Sequence, residues 1–412
     1  MTPDPDVLVV GGGPGGAAAA YWLARRGHRA LLVEKGEYPR PKTCGDGLTP
    51  RAVHELGTMG FDFAVPGLHL CRGLRSHAGG ITLELDWPEH PVYPNWGAVL
   101  RRADLDGRVA ALAAGQGAIL ATGTEARPLL DEGRIAGVAL QRGGEVEVVR
   151  PRVVVVADGA LSRFGRALGA RRDGDLPFGL GARAYFASPR SADPFLDSYL
   201  DLHDVAGKVV PGYGWVFPLG DGTVNAGVGV VSTFHRWHAV NTRDLMEALA
   251  ATAPSSWGLS AQTAQGPATG GMLPMGLSVG PVVGPNWVLV GDAAGAINPF
   301  NGEGIAYALQ TGHLAAERAH RALAADDLGL LQAYRQDLAD HFGLYFRMGR
   351  VFMQALGRPG VMRSLTRVGF RARPLMEWTL RVMSNLLDPA EWGAGAAAYR
   401  ALERLVRVAP GR

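Results

Sequence analysis

Four stretches of the chain are apolar at every position: Val7-Leu8-Val9-Val10, Ala30 to Val33, Val153-Val154-Val155-Val156 and Val288-Leu289-Val290. A run without polar alternation suits a strand buried on both faces, as in a parallel sheet. Between the first two, Pro14 to Arg26 is rich in Ala, ends at Gly27 and predicts a helix. Strand, helix and strand make one βαβ unit. Helical spacing returns over Arg101 to Ala114 and predominates from Gly302 onward. Ala118-Ile119-Leu120 is strand-like, and short alternating strands follow it, turning at Asp131-Glu132-Gly133 and Arg142-Gly143-Gly144. Phe178 to about Val231 alternates as antiparallel strands do. The pattern predicts an α/β protein. Residues 1–60, 100–177 and 275–330 would form a discontinuous parallel-sheet domain, 61–99 and 178–274 an inserted antiparallel-sheet domain, and 331–412 a helical segment.

The first strand runs into Gly11-Gly12-Gly13-Pro14-Gly15-Gly16, and Glu34 ends the next strand 21 positions past Gly13. This is the fingerprint of a Rossmann-like dinucleotide site, and each part has a physical task. Gly11 permits the turn, Gly13 lets a diphosphate approach the backbone, and Gly16 lets the helix pack on the strand. The helix N-terminus, which Pro14 starts, offers free N–H groups from Gly15 on to the anion. Glu34 is placed to accept hydrogen bonds from the adenosine ribose, with Lys35 beside it. Asp292, directly after the Val288–Val290 run, narrows the ligand. It is placed to accept from a ribityl hydroxyl, which FAD has and a nicotinamide dinucleotide lacks. An Asp capping the next helix is the plainer alternative. Gly302-Glu303-Gly304-Ile305 opens a helix whose N-terminus would stabilise negative charge on a reduced flavin.

Composition excludes several classes. At 47% hydrophobic and 19% charged residues, the 412-residue chain is globular, with two or three domains expected. Two cysteines, Cys44 and Cys71, argue against a disulfide framework and suit a reducing cytoplasm. The 11 His lack ligand spacing, so no metal site is expected. Met1 to Asp6 has no basic leader character, and no apolar run approaches the roughly 18 residues of a membrane span.

The net charge of +3 hides an asymmetry: from Gly343 on there are twelve Arg against Glu377, Asp388, Glu391 and Glu403. Arg347, Arg350, Gln354 and Arg358 form one helical stripe, with Leu344, Phe346, Met348, Val351, Phe352 and Leu356 on the other faces. After the Gly357–Gly360 break, Arg363, Arg367 and Arg371 make another basic stripe. A cationic amphipathic helix suits an anionic bilayer surface, at about 1 kcal/mol per basic residue. The expectation is a cytoplasmic protein, peripheral on the cytoplasmic face of the membrane. A helix packed on the second domain with solvated arginines is the alternative. Nucleic acid is not an expected partner, since no reader motif is present.

Two further features carry chemistry. Tyr213, Trp215 and Phe217 alternate along one predicted strand, so their rings share a face. Small residues of the return strand from Thr223 to Gly229 would leave room opposite them. The face either lines an apolar tunnel or fills the sheet core. Cys44 stands among Arg40, Lys42 and Arg51, and nearby cations lower a thiol pKa. It is either a reactive thiol or a small residue in a tight loop.

Several motifs together resemble a known family. Gly11 to Gly16, Arg102-x-x-Leu105-Asp106, Ala157-Asp158-Gly159 and Gly291-Asp292 are similar to the FAD-binding set of the p-hydroxybenzoate hydroxylase-type flavoproteins. Pro39-x4-Cys44-Gly45 and Tyr213-Gly214-Trp215-Val216-Phe217-Pro218 resemble the geranylgeranyl reductase family. Cys44 to Val53, Leu273 to Gly276, Asn298 to Gly304 and Arg381 to Leu386 look like the menaquinone reductases within it. The resemblance implies FAD, with Arg102 near its diphosphate or ribose and Ala126 against the adenine. It implies Cys44, Gly45 and Gly47 beside the isoalloxazine, with Cys44 a candidate catalytic residue. Asp292, Gly304 and Ile305 would contact the ribityl chain and flavin ring, and Tyr213, Trp215 and Phe217 the substrate. The implied activity is reduction of an isoprenoid double bond, most directly in the menaquinone tail. The electron donor is left open. Alternatives are a geranylgeranyl-lipid or geranylgeranyl diphosphate reductase, or a monooxygenase or halogenase on the same fold. A halogenase would carry W-x-W-x-I-P where Tyr213 and Phe217 stand here.

Overall fold

The structure, a computed structural model, describes residues 4–203, 207, 212–234, 237–356, 369–388, 397, 399–401 and 404. The four apolar runs lie in one five-stranded sheet. Its order is Trp287–Leu289, Val153–Val156, β1 (Val7–Val10), β2 (Ala30–Val33) and Ile119–Ala121, every pair parallel. All four valines of Val153–Val156 are fully buried, which is why that run carries no polar residue. Helix α1 (Pro14–Arg25) links β1 to β2. Strand order reverses between β1 and Val153–Val156, and ligands of open parallel sheets bind outside the strand ends at such a switch point. Gly11 and Ala157 meet there: a Cβ on Gly11 would sit 2.4 Å from the Ala157 carbonyl oxygen. With φ of +104° as well, the position suits glycine alone.

Each face of this sheet is covered. On one, α1 packs against the long Ile305–Ala324 helix so closely that a Cβ on Gly312 would lie 2.2 Å from the Gly15 carbonyl oxygen. On the other lies a three-stranded antiparallel sheet, Glu125–Asp131, Arg134–Arg142 and Glu145–Val149. Its Ile135, Val138 and Leu140 bury against Leu8, Val10 and Val154. The two predicted turns join its strands.

A seven-stranded sheet forms the second body, in the order Thr269–Pro274, Phe178–Ala187, Thr223–Val231, Tyr213–Pro218, Phe195–Tyr199, Gly73–Ala78 and Ile81–Asp86. It is antiparallel except that Phe195–Tyr199 runs parallel to Gly73–Ala78. The earlier chain segment reaches the sheet at its edge, where no hairpin constrains direction.

The helices Leu344–Leu356 and Arg373–Met383 pack beside both sheets. Phe346 and Met348 join the core under the parallel sheet, and Met376 and Leu380 join Leu85 and Trp87 of the seven-stranded one. The predicted basic stripe needs correction here. Arg350 Nη1 donates to the Gly276 carbonyl oxygen, so this arginine is docked on the protein rather than presented to solvent. Arg358, Arg363 and Arg367 lie outside the described residues. Among the described residues no helix is long and apolar enough to cross a membrane.

Candidate active site

The C-terminal ends of β1 and Val153–Val156 open into one cavity of about 1360 Å3, larger than the roughly 300–1,000 Å3 of ordinary ligand pockets. It runs from the glycine loop, past the Cys44–Gly47 loop and the aromatic strand, to the two C-terminal helices.

The glycine loop end is built for an anion. Helix α1 starts with Pro14 at N1 and no side-chain cap on its first turn, so its N–H groups are unclaimed by side chains. A Cβ on Gly13 would meet nothing nearer than 3.8 Å, and what it meets there is the Arg102 and Arg40 guanidinium groups. An open backbone edge facing two cations fits the diphosphate of a dinucleotide. Arg102 forms a bidentate pair with Asp106 at 2.7 and 2.9 Å, and Arg40 bridges Glu34 and Asp106 at 3.1 and 3.2 Å. The Nε of Arg40 is buried without a partner among the described residues. Glu34 accepts from the Gly12 and Gly36 N–H groups at 2.8 and 3.0 Å, so it braces the loop and has only its remaining lone pairs for a ribose. Gly15, Lys35 and Ala126 line the same end, while Gly16 lies against the Gly11 carbonyl.

Asp158, in contrast, accepts from Ser162 Oγ and the Phe164 N–H and so holds the start of the short Arg163–Ala167 helix. Asp292 opens a turn of Gly291–Ala294 without capping it, and its Oδ2 lies 3.9 Å from Lys42 Nζ. The carboxylate lines the cavity beside Gly304, the uncapped first residue before Ile305–Ala324.

The Cys44–Gly47 loop is fixed from beneath by Asp46, which is fully buried at φ +65°. Its carboxylate accepts from Tyr185 Oη at 2.7 Å, Asn225 Nδ2 at 2.8 Å and the Arg102 N–H at 3.0 Å. Asn225 Nδ2 also donates to the Cys44 carbonyl oxygen at 2.8 Å, and Asn225 Oδ1 accepts from Trp215 Nε1 at 3.1 Å. One amide thus ties loop, carboxylate and aromatic wall together. Burial holds the Asp46 carboxyl above the usual carboxylate range despite these bonds.

Cys44 does not have the setting expected from its basic neighbours. Arg40 is turned to Glu34 and Asp106, Lys42 to Asp292, and Arg51 to the Asn385 carbonyl and Gln310. Burial pushes the thiol up, and Arg102, opposing it, does not prevail.

Tyr213, Trp215 and Phe217 do share one face, with ring centroids 5.9 and 6.2 Å apart. The return strand sets Gly229 opposite Tyr213 and Gly227 opposite Trp215. A Cβ on Gly227 would lie 2.2 Å from Trp215, and one on Gly229 2.5 Å from Tyr213. The small residues therefore do not leave open space; the rings lie flat on them. The wall this makes abuts the Cys44–Gly47 and Gly302 loops, since Cβ atoms on Gly45 and Gly47 would each lie 3.2 Å from Phe217, and one on Gly302 3.2 Å from Tyr213 Oη.

Glu303 completes the site. Its N–H donates to Asn301 Oδ1, its Oε1 accepts from Thr49 Oγ1, and its Oε2 is buried with no partner among the described residues. Burial pushes its carboxyl up to about 7, with Thr49 and Arg51 opposing the shift. Asp46, Tyr185, Asn225 and Thr49 received no role from sequence. Asn225, a polar residue in a run of small and β-branched ones, was the signal for its part.

Comparisons with known proteins agree with this geometry. A family model described as an FAD binding domain matches residues 4–210. A menaquinone reductase of Mycolicibacterium smegmatis is 39% identical over 98% of this chain and 99% of its own length. A digeranylgeranylglycerophospholipid reductase of Thermoplasma acidophilum is 32% identical over 82% of this chain and 84% of its own. The crystal structure of a geranylgeranyl bacteriochlorophyll reductase-like protein from Thermoplasma acidophilum superposes with a TM-score of 0.77 at 26% identity, covering 97% and 99% of the two chains. The chain is a flavoprotein that holds FAD, and it belongs to the geranylgeranyl reductase family of FAD-dependent oxidoreductases, alongside the menaquinone reductases.

Proposed function

We propose that this protein reduces a carbon–carbon double bond in an isoprenoid chain, and that the chain is the polyprenyl tail of menaquinone. The observation that carries the reading is the continuity of the cavity from the Gly13 edge, across Trp215, to Met348, Phe352, Met376 and Leu380. A dinucleotide occupies the cationic end, and the rest is an apolar channel suited to a polyprenyl chain. Bound FAD supplies a two-electron redox centre for this reaction. Arg102, Arg40 and the first turn of α1 hold its diphosphate, Glu34 and Lys35 lie at the ribose, and Ala126 at the adenine. Asp292, Gly304 and Ile305 take the ribityl chain and ring, with Cys44, Gly45 and Gly47 beside it.

An isolated alkene is barely polarised, so positioning and exclusion of water must supply most of the rate. Trp215 is fixed by Asn225 and by its seat on Gly227, which makes the aromatic wall a rigid surface for the isoprenoid. Cys44 lines the ring end but holds its proton firmly, which suits a packing role better than a nucleophilic one.

The channel's far end supports contact with a lipid surface. Val351 and Leu375 line the cavity and are 47% and 43% exposed. Exposed apolar residues on a channel wall suit a bilayer interface. Flotation with anionic vesicles tests this: V351E/L375E should abolish co-flotation, and unchanged flotation would remove this surface from the account. The function itself is tested by mass spectrometry of lipid quinones from cells with and without the gene. Loss of a partly saturated menaquinone is expected; an unchanged quinone profile would contradict the menaquinone assignment.

A further inference from the structure

Saturating an alkene needs a proton as well as a hydride, and among the described residues one acid of the cavity wall has a buried oxygen without a partner. Glu34 is bonded to the Gly12 and Gly36 N–H groups and to Arg40, Asp292 faces Lys42, and Asp46 accepts three hydrogen bonds beneath its loop. Glu303 has one oxygen on Thr49 and the other buried without a partner among the described residues. It also sits where the two loops reach the aromatic wall. Its neighbour Gly302 abuts Tyr213, and Gly47, two residues before Thr49, abuts Phe217.

Building on the isoprenoid reductase reading, we propose that the Glu303 carboxyl is the proton donor to the double bond. Bound FAD in its reduced form would supply a hydride, with its two electrons, to one alkene carbon, and the Glu303 carboxyl would supply the proton to the other. Two C–H bonds form as the π bond breaks, the flavin ends oxidised, and the carboxylate regains its proton from water. Hydride addition alone would leave charge on an unactivated carbon, so the acid must act as the hydride arrives. Burial with its second oxygen unpaired favours the protonated form of the carboxyl. The groups facing it are Thr49 and Arg51 from the Pro50–Thr58 helix and its cap, Tyr93 from the loop before Gly97–Val99, Tyr307 from the Ile305–Ala324 helix that follows it, and Tyr345 from Leu344–Leu356. Arg51 is the cation among them and favours the ionised form; burial outweighs it. Tyr213, the other proton-bearing group at Gly302, is pushed up to about 12 and would give a break in rate only near there.

The test is an anaerobic single turnover of the FAD-loaded, prereduced protein with menaquinone, following flavin reoxidation and tail mass across pH. Tail reduction by the wild type should fall about tenfold per pH unit above about 7. E303Q should keep its flavin, lose roughly a hundredfold or more in rate, and show no break there. T49V, which removes the bond that favours the carboxylate, should move the break to higher pH. An infrared titration of the protein without flavin supplies a readout apart from turnover: a buried carboxyl C=O band should vanish near pH 7 and be missing in E303Q. Wild-type rate and pH profile in E303Q, or a break that T49V does not move, would overturn the assignment. If the wild type reduces no prenyl chain, the isoprenoid reading fails, and the infrared band alone still reports whether Glu303 holds a proton.

Discussion

Asn225 Nδ2 donates to Asp46 Oδ2 at 2.8 Å across 179 residues of chain, joining the seven-stranded sheet to the Cys44–Gly47 loop. The same amide reaches the Cys44 carbonyl and, through its oxygen, Trp215. Replacing it removes partners from a buried carboxylate at a cost of about 1–3 kcal/mol. N225L should therefore lower unfolding free energy by that order in denaturant titrations, and should also shift the flavin absorbance as the Cys44–Gly47 loop loosens. An unchanged spectrum would mean that the loop does not depend on this bond.

Gly13 and Gly16 stand three residues apart and should fail differently. A side chain at Gly13 points into open space before Arg102 and Arg40, whereas a Cβ at Gly16 would lie 1.9 Å from the Gly11 carbonyl oxygen. G13V should leave the circular dichroism and melting of the flavin-free protein intact while weakening FAD binding by at least about tenfold, or 1.4 kcal/mol. G16A should destabilise the flavin-free protein itself, by about 1–3 kcal/mol or more. Equal losses of fold in both would contradict the assignment of Gly13 to ligand approach.

Gly227 is the seat of Trp215. G227A places a methyl 2.2 Å from the indole and 2.7 Å from the Ala182 carbonyl oxygen, so the ring and the neighbouring strand must give way. Prenyl-chain turnover should drop while FAD content, read from flavin absorbance, stays near one per chain. Unimpaired turnover would take Trp215 out of the substrate wall.

Cys44 should be a slow thiol. Burial raises its pKa from an ordinary value of 9.0, so the thiolate is scarce at neutral pH. Alkylation by iodoacetamide, mapped by mass spectrometry, should be slower at pH 7 than for a free cysteine and accelerate only in strongly alkaline solution. C44S should retain flavin. Rapid modification at pH 7 would restore the reactive-thiol reading.

Glu303 also makes stability depend on pH. Its carboxyl is raised from 4.5 to about 7 on folding, so the folded state prefers the protonated form. That preference contributes fully below about 4.5 and is lost as pH rises through about 7, on the order of 3 kcal/mol in all. In E303Q this pH-dependent loss should be absent, measured as the difference in denaturation free energy between pH 5 and pH 8 for the two proteins. A parallel pH dependence in both would place the Glu303 carboxyl at its ordinary value.

The parallel sheet was legible because Val7–Val10 and Val153–Val156 are buried on both faces, and burial of that kind leaves no freedom for polar residues. The glycine loop was legible because steric limits at Gly11 and Gly16 act within a few residues. The parallel pairing of Phe195–Tyr199 with Gly73–Ala78 was not, since it joins segments more than a hundred residues apart with no turn to set direction. Separation along the chain also hid the pairing of Arg40 with Asp106, and of Arg51 with Asn385, so the basic residues around Cys44 read as its neighbours when each is committed elsewhere. Arg350 looked like one member of a solvated stripe because helical spacing shows faces and not what covers them.

The central claim is that an isoprenoid tail is reduced in this cavity. The direct measurement is anaerobic incubation of the prereduced, FAD-loaded protein with menaquinone, followed by air oxidation and tandem mass spectrometry. Air returns any quinol headgroup to the quinone, so hydrogens that remain are in the tail. Two added hydrogens located in a prenyl fragment, in step with flavin reoxidation, are the predicted result. A tail of unchanged mass, with the flavin reoxidised only through the headgroup or not at all, would contradict the account.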